Sequence, residues 1–412
     1  MDFDLTPEQR ELRRATIAFA RSELGAAAAD DDRESRFPAR DWARCAEHGV
    51  LGWPVPARYG GRGLDPLSTM IALEALGYGC RDNGLVFAVN NHLWGCAVYL
   101  LLHGTEEQKT RYLKPMCDGA LVGAHALSEP EAGSDVLGLR TTAVRDGDHY
   151  VLEGTKWFVS NGPVADVFVV LARTGGEAGG TAGSAAGGGE AGGAGRGRAQ
   201  DALSAFLVTA DLPGVHRTRE FTKLGLRSTP MGAVEFDGAR VPAGNLLGRE
   251  GSGYAIFNAT IEWERAFMFA GHLGVMERLL ESSIAHASSR RQFGRAIGGF
   301  QAVAHEIADM KIRLELARLI LYRVGWLKRE RRLALQDATI AKIFVSESLV
   351  RTAMAAVQVH GARGYLNGYD LERELRDALG GPIFAGTSAV QRGILAELLG
   401  LSGVLSGAPE GG

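Results

Sequence analysis

The stretch Gly253–Gly274, GYAIFNATIEWERAFMFAGHLG, sets two carboxylates inside a strongly apolar helical pattern and marks where that pattern returns after a long run of strands. Ile261, Trp263, Phe267, Met268 and Phe269 surround Glu262 and Glu264. On a helix two residues two positions apart cannot share a face, so one glutamate is expected to face outward. Glu264 falls at helical spacing with Phe267, Met268 and Gly271, and Glu262 with Arg265, Ala266 and Phe269, which gives Glu264 the smaller and more apolar surroundings. A carboxylate so placed suits proton transfer. The simpler alternative is an ion pair with a neighbouring arginine.

Working outward, a chain of 412 residues with 46% apolar and 23% charged residues is long enough for two or three packed units of ordinary globular composition. A net charge of −3 and a pI near 6.4 leave no electrostatic footprint for nucleic acid or an anionic membrane, and neither is an expected partner. The start, MDFDLTPEQRELRRATIAFA, lacks the basic region and apolar run of a secretion signal, and no uninterrupted apolar segment reads as a bilayer span. A cytoplasmic location is expected. Cys45, Cys80, Cys96 and Cys117 lie far apart with no CxxC pair and no histidine at ligand spacing, so they read as buried or free thiols and no metal site is expected.

From Thr6 to about Leu121 the period is helical. Thr6 can cap, Pro7 suits a first turn, Pro66–Tyr78 forms a helix, and Asn83–Leu102 forms a long apolar one. Asn90, Asn91 and His92 lie inside that run, as cavity-lining groups or as buried polar groups satisfied by hydrogen bonds. After Gly119 the period shortens. Strands are expected at 122–127, 140–144, 150–153, 157–160, 167–172, 205–210, 214–219 and 232–236, with a turn at Asp146-Gly147 and a last hairpin at Asp237-Gly238. Between two of them, Gly175–Gln200 is too poor in large apolar groups to offset its ordering entropy and reads as a disordered surface loop. Helices return over 254–289, 300–329 and 334–360 and from Ser388, with Gly- and Arg-bearing breaks at 294–299 and 361–368 that suit a pyrophosphate.

Several short motifs then fall in order. They are AHALSEPEAGSD at 124–135, KWFVSNG at 156–162, LGLRS at 224–228, VPAGNLLG at 241–248, an RxxFGxxIxxFQ pattern from Arg290 to Gln301, QVHGARGY at 358–365, Arg376-Asp377 and FAGT at 384–387. Together they resemble the acyl-CoA dehydrogenase family of flavoproteins over nearly the whole chain. The resemblance implies an α+β fold: an N-terminal helical domain (1–121), a central β-sandwich or barrel domain (122–242) and a C-terminal four-helix bundle (243–402), with a flexible tail at 403–412. It also implies bound FAD. Leu127, Ser128 and Ser134 would meet the flavin, Ser134 together with Glu262 and Arg265 would meet the substrate, Phe158 would pack on the isoalloxazine and Ser160 would hydrogen-bond near its hydride-accepting nitrogen. Arg290 and Phe293 would serve the FAD of a neighbouring subunit, Gln358 and Gly361 would approach its adenine end, and Thr387 would complete the site. Ala362 departs from the family's second glycine there. A composite site of this kind implies a homotetramer.

Ala385 stands where many members carry the catalytic glutamate before Gly-Thr, so that base is absent. A second branch, like isovaleryl-CoA dehydrogenases, carries its glutamate on a helix directly before an arginine, and Glu264-Arg265 matches that position. Glu264 thereby becomes the expected base for α-proton abstraction from an acyl thioester, with the β hydrogen leaving as hydride to the flavin. The Glu264 backbone N–H and the flavin ribose are the expected donors to the enolate-like oxygen. The thioester partner is acyl-CoA or an acyl-carrier protein, the latter because some segments are similar to prolyl-carrier-protein dehydrogenases, and the electron acceptor would be a protein such as an electron-transfer flavoprotein. A flavin oxidase or monooxygenase and a catalytically silent flavin-binding subunit are the alternatives. Deleting Gly175–Gln200 and rejoining the strands by a short turn is expected to leave flavin absorbance and turnover close to the parent, because closure entropy varies slowly with loop length.

Overall fold

The structure, a computed structural model, describes residues 4–175 and 200–401. Nearly all of the glycine-rich loop and the whole 403–412 tail, expected above as disordered and flexible, lie outside the described residues. The first helix, α1 (Pro7–Glu23), starts as a capping box: the Thr6 hydroxyl accepts from the Gln9 N–H, and the Gln9 side chain accepts from the Thr6 N–H. Short helices α2 (Ala28–Glu34) and α3 (Ala39–Glu47) follow, then α4 (Pro66–Gly79), capped by Asp65, and α5 (Asn83–His92). A π-turn at Leu93–Ala97 carries α5 without a break into α6 (Val98–His103), and α7 (Glu106–Cys117) ends the segment.

The continuous run Asn83–His103 corrects one reading of the sequence. At 21 residues it is long and apolar enough to cross a membrane, yet its 18-residue window, with a mean hydropathy of 1.5, is 89% buried inside the protein. Its asparagines are satisfied locally and across domains: Asn90 Nδ2 donates to the Val86 carbonyl, Trp94 Nε1 donates to Asn90 Oδ1, and Asn91 Nδ2 donates to the Ser160 carbonyl at 2.8 Å. His92 Nδ1 accepts from the Gly123 N–H, and burial pulls its ring down to about 4.

Strands β1 (Gly123–Ala126), β2 (Thr142–Asp146), β3 (His149–Ser160), β4 (Val167–Arg173), β5 (Leu203–Thr209), β6 (Val215–Glu220), β7 (Met231–Pro242) and β8 (Leu246–Leu247) form one hydrogen-bonded sheet in the order β6-β7-β3-β2-β4-β5-β8, with β1 parallel to β4. Its two halves meet through the single pairing Thr142↔Arg173 and fold over a shared interior of Tyr150, Leu152, Val234 and Phe236 from one half and Phe168, Val170, Phe206 and Val208 from the other. That is the expected sandwich, with two local corrections. β3 is one bulged strand rather than two, and Asp237-Gly238 is an irregularity inside β7 rather than a hairpin, because the β3–β7 register shifts there between Leu152 and Gly154.

The last third comprises α8 (Gly253–Phe267), α9 (Ala270–Ser289), α10 (Gln301–Arg329), α11 (Leu335–His360), α12 (Ala362–Tyr365), α13 (Leu371–Ala378) and α14 (Ser388–Leu398). The helix expected from Tyr254 to Ser289 is thus divided at Met268–Phe269. A small hairpin, β9 (Arg291–Gln292) with β10 (Arg295–Ala296), turns through Phe293 and Gly294, both at positive φ. Helices α9, α10 and α11 pack mutually and α14 lies on α11. The N-terminal helices are not a separate core: Phe19, Leu73, Leu76 and Phe87 belong to the same buried cluster as Leu273, Met276, Leu314 and Val345. Asp377 of α13 ties all three parts together, accepting from the Leu226 N–H of the β segment and from Asn83 Nδ2 of α5, and burial pushes its carboxyl up to about 7.

The α4–α9 crossing is backbone on backbone. A Cβ at Gly77 would lie 2.1 Å from the Gly271 carbonyl oxygen. Gly77→Ala is therefore expected to destabilise the protein by about 1–3 kcal/mol through overpacking, read as a lower midpoint in urea.

Candidate active site

Helix α8 lies across the seam between two cores. Phe257 and Ile261 pack with Leu171 and Leu207 of the sheet and with Leu113 and Met116 of α7, whereas Phe267 joins the helical core beside Trp94. Glu264 sits between these contacts. Glu262 and Glu264 are equally enclosed, each side chain 12% exposed, so neither faces outward. Their roles differ by partner. Glu262 Oε1 takes Lys328 Nζ at 2.8 Å and the Ala334 N–H at 2.8 Å, which pins α8 to the α10–α11 turn. A carboxylate committed in that way has little capacity left for a substrate group. Glu264 Oε2 has no hydrogen-bond partner among the described residues; His125 Nδ1 lies 3.8 Å from it.

Around Glu264 the buried polar atoms Tyr99 Oη, His125 Nε2 and Arg265 Nε also lack partners among the described residues. The Tyr99 and His125 rings are 4.8 Å apart. Burial, then the Glu264 charge, raises the Tyr99 phenol well above its ordinary value, and burial lowers the Arg265 guanidinium despite Glu264 and Tyr99 beside it. Arg265 thus feels the Glu264 charge without forming an ion pair with it among the described residues. Neither Tyr99 nor His125 stood out in the sequence: one sits in a leucine-rich run, the other in a motif whose serines drew the eye.

The KWFVSNG segment forms the facing edge. Between Lys156 and Val159 the β3–β7 register shifts, and in that bulge Phe158 takes a φ of 59° and stands 56% exposed. Its ring lies 5.5 Å from Phe221, which in turn lies 4.9 Å from Trp157, with Arg219 over Trp157 and Phe221. Lys156 points the other way, fully buried, to Glu129 Oε1 at 2.8 Å and the Leu127 carbonyl at 3.0 Å. Burial opposes the Glu129 charge, yet Lys156, Thr141 and the Arg140 N–H hold its carboxyl below its ordinary value, while burial draws the Lys156 ammonium down to about 8. The Trp157 N–H donates to the Ser128 carbonyl at 2.7 Å, so Leu127 and Ser128 are fixed beside Phe158 and Ser160. Asn161 closes the motif at a φ of 62°, donating to the Ala88 and Gly123 carbonyls.

An exposed aromatic shelf flanked by Ser128, Ser134 and Ser160, whose hydroxyls have no partner among the described residues, fits the flat ring system of a flavin. Arg290, Phe293, Gln358 and Gly361 form a second group at the ends of α9 and α11, brought together where the His286 and His360 rings stack at 4.4 Å. No hydrogen bond or ion pair joins the two groups among the described residues. Thr387 caps α14 through the Val390 N–H, and Ala385 before it has a φ of 54°. The Glu264 N–H lies inside α8 and is used by the helix ladder, so it cannot serve the enolate-like oxygen as expected.

Comparison with known proteins agrees with this architecture. The chain matches the acyl-CoA dehydrogenase N-terminal domain over residues 6–120, the middle domain over 124–239 and the C-terminal domain over 251–400. It is 40% identical over 402 residues to an L-prolyl peptidyl-carrier-protein dehydrogenase of Pseudomonas fluorescens, covering 97% of this chain and 100% of that one. Against a short-chain specific acyl-CoA dehydrogenase of Clostridium acetobutylicum the identity is 36%, with 95% and 98% covered. Among solved structures it superposes on the prolyl acyl carrier protein oxidase AnaB with a TM-score of 0.90 at 43% identity, covering 97% and 100% of the two chains. The FAD complex of PigA gives 0.90 at 34% identity, with 98% and 100% covered. The chain belongs to the acyl-CoA dehydrogenase family. It is an FAD-dependent oxidoreductase that dehydrogenates an acyl thioester.

The Lys156–Glu129 pair supports the whole cofactor edge. Lys156→Met would leave Glu129 buried and uncompensated, at an expected cost of about 3–5 kcal/mol. Adding Glu129→Gln should recover most of the loss, as followed by urea denaturation together with FAD content.

Proposed function

We propose that Glu264 is the base of this dehydrogenation and that the substrate is an aminoacyl, prolyl-type thioester carried on a carrier protein. The observation that carries the first part is Glu264 Oε2, a buried carboxylate oxygen without a hydrogen-bond donor, while Glu262 is held by Lys328 and Ala385 offers only a methyl group. The carrier-protein substrate is supported by the names of the relatives at 40% and 43% identity.

In this reading Glu264 takes the α proton of the thioester, leaving an electron pair on the substrate that becomes the new double bond. FAD, when bound, supplies the acceptor for the β hydrogen with its pair. Phe158 and Ser160 hold one edge of the site, the Lys156–Glu129 pair keeps that edge rigid, and Phe257, Ile261 and Phe267 around α8 exclude water from the base. The enolate-like oxygen is assigned to backbone N–H groups at Ala385 and Gly386, which have no acceptor among the described residues.

Arg290, Phe293, Gln358 and Gly361 belong to the cofactor site of a second copy of the chain, within a homotetramer. Support comes from the absence of any hydrogen bond or ion pair to the Phe158 edge among the described residues and from Phe293, an aromatic residue left 94% exposed at a hairpin tip. Ile312, Leu316 and Leu319 are a further set of exposed apolar side chains, at helical spacing along α10. Electrons leave through an electron-transfer flavoprotein. The rival is molecular oxygen, favoured by the name oxidase on AnaB, and rapid reoxidation of reduced enzyme in air would select it.

The test is anaerobic bleaching of the bound flavin. L-Prolyl carrier protein should bleach it, and butyryl-CoA should do so far more slowly or not at all. Glu264→Gln should still bind the thioester while flavin reduction slows by roughly 10²–10⁴-fold. Glu262→Gln should lose stability rather than chemistry. Equal bleaching rates in Glu264→Gln and the parent would remove Glu264 from the mechanism.

A further inference from the structure

Three polar atoms beside the base are costly to bury as they stand. Tyr99 Oη, His125 Nε2 and Arg265 Nε are shielded from solvent and have no hydrogen-bond partner among the described residues; Tyr99 and Arg265 both feel the Glu264 charge, and the His125 ring approaches Glu264 through Nδ1 at 3.8 Å. A pocket for a plain alkyl chain has no use for them, since apolar surroundings would serve better. Buried polar groups of this kind are matched by polar atoms of whatever completes the site.

The local backbone is shaped for the arrangement. Leu93–Ala97 is a π-turn, which rotates the residues after it relative to an uninterrupted α-helix and thereby sets the direction of Tyr99. At its centre stands Gly95, where a Cβ would lie 3.1 Å from His125 Cβ and 3.2 Å from Asn91 Oδ1. A Cβ at this position would ask His125 and Asn91 to give by a few tenths of an ångström, so glycine here permits the close approach of α5–α6 to β1. The His125 ring has Nδ1 toward Glu264 Oε2 at 3.8 Å, so a proton on Nδ1 faces the carboxylate and leaves Nε2 as an acceptor. Tyr99 supplies a hydroxyl donor on the adjoining side.

We infer that Tyr99 and His125 are the specificity pair for a nitrogen attached to the α carbon of the acyl group. This rests on the aminoacyl reading above. In a prolyl thioester the ring nitrogen is one bond from the carbon whose proton Glu264 removes, so its recognition groups must lie next to Glu264, where these two are. A neutral secondary amine has one N–H and one lone pair. The N–H donates to His125 Nε2, and the lone pair accepts from the Tyr99 hydroxyl.

The measurement compares two thioesters of nearly the same shape on one carrier protein, L-prolyl and cyclopentanecarbonyl, the second having CH₂ in place of the ring N–H. Both have the α and β hydrogens the reaction needs. The readout is the ratio of their kcat/KM values in the holoenzyme, with FAD absorbance confirming that each variant is folded and loaded. The parent is expected to favour the prolyl thioester strongly, because a site built to hydrogen-bond a substrate rejects the analogue lacking that group. Tyr99→Phe and His125→Leu should each lower the ratio roughly five- to tenfold, the worth of one hydrogen bond, mainly by slowing the prolyl substrate. Tyr99→Phe changes a single atom and keeps the test open if His125→Leu does not fold. If both variants slow the two thioesters equally, the pair positions Glu264 and does not read nitrogen, and the inference is overturned. A parent that oxidises both thioesters at the same rate overturns it too, while leaving the dehydrogenase reading standing. A parent that oxidises neither, yet bleaches with acyl-CoA, removes the aminoacyl reading and this inference with it.

Discussion

A lysine buried without exposure to solvent and joined to a single glutamate fixes the geometry on which the site depends. Lys156 reaches Glu129 and the Leu127 carbonyl from inside the sheet, and so clamps the 127–134 loop to strand β3. With the inward residue fixed, the bulge that follows turns Phe158 outward, and Asn161 can then reach the Ala88 and Gly123 carbonyls. An ion pair of this kind contributes little net stability, because desolvation offsets most of the attraction. Its value lies in permitting one register: slipping β3 by one residue would put the ammonium in solvent and leave Glu129 buried alone.

The order of helices, sheet and helices was legible from period alone, as were most boundaries, because capping residues such as Thr6 and Asp65 and breakers such as Gly361 act through nearest neighbours. Readings failed where tertiary contacts decide. Asp237-Gly238 has the chemistry of a hairpin turn but lies in a strand paired along its length with β3, which absorbs the extra residue. Local composition gave Glu264 the more apolar surroundings but placed one of the two glutamates outward, and neither is. Lys328 and Ala334, some seventy residues later, separate them. Tyr99 and His125 were illegible for the same reason, since they meet only where a helix of the first third crosses a strand of the second.

The proposed base at Glu264 and the position held by Ala385 differ in mechanical character. Ala385 occupies a loop at left-handed φ whose neighbour Phe384 stacks on Phe269 and packs at a tilt on Phe87, whereas Glu264 is carried in the body of a helix that bridges two cores. A base on a helix is positioned by many contacts at once and loses little order when the substrate arrives. It also surrenders its own backbone N–H to the helix ladder, so the oxyanion donor and the base must come from different segments.

The close contact of Gly77 with Gly271 sets the order in which the chain can be built. Helix α4 has its apolar partners on α9 and α10, nearly two hundred residues further along, with the entire sheet synthesised in between. Until those residues leave the ribosome, the first third cannot bury Leu73, Leu76 and Phe87 against their final neighbours, however well its helices form locally. The nascent chain therefore carries an exposed greasy surface through most of its synthesis, a state prone to aggregation and suited to capture by chaperones. Yield on overproduction should then be limited by the rate of elongation through the sheet more than by the stability of the finished enzyme.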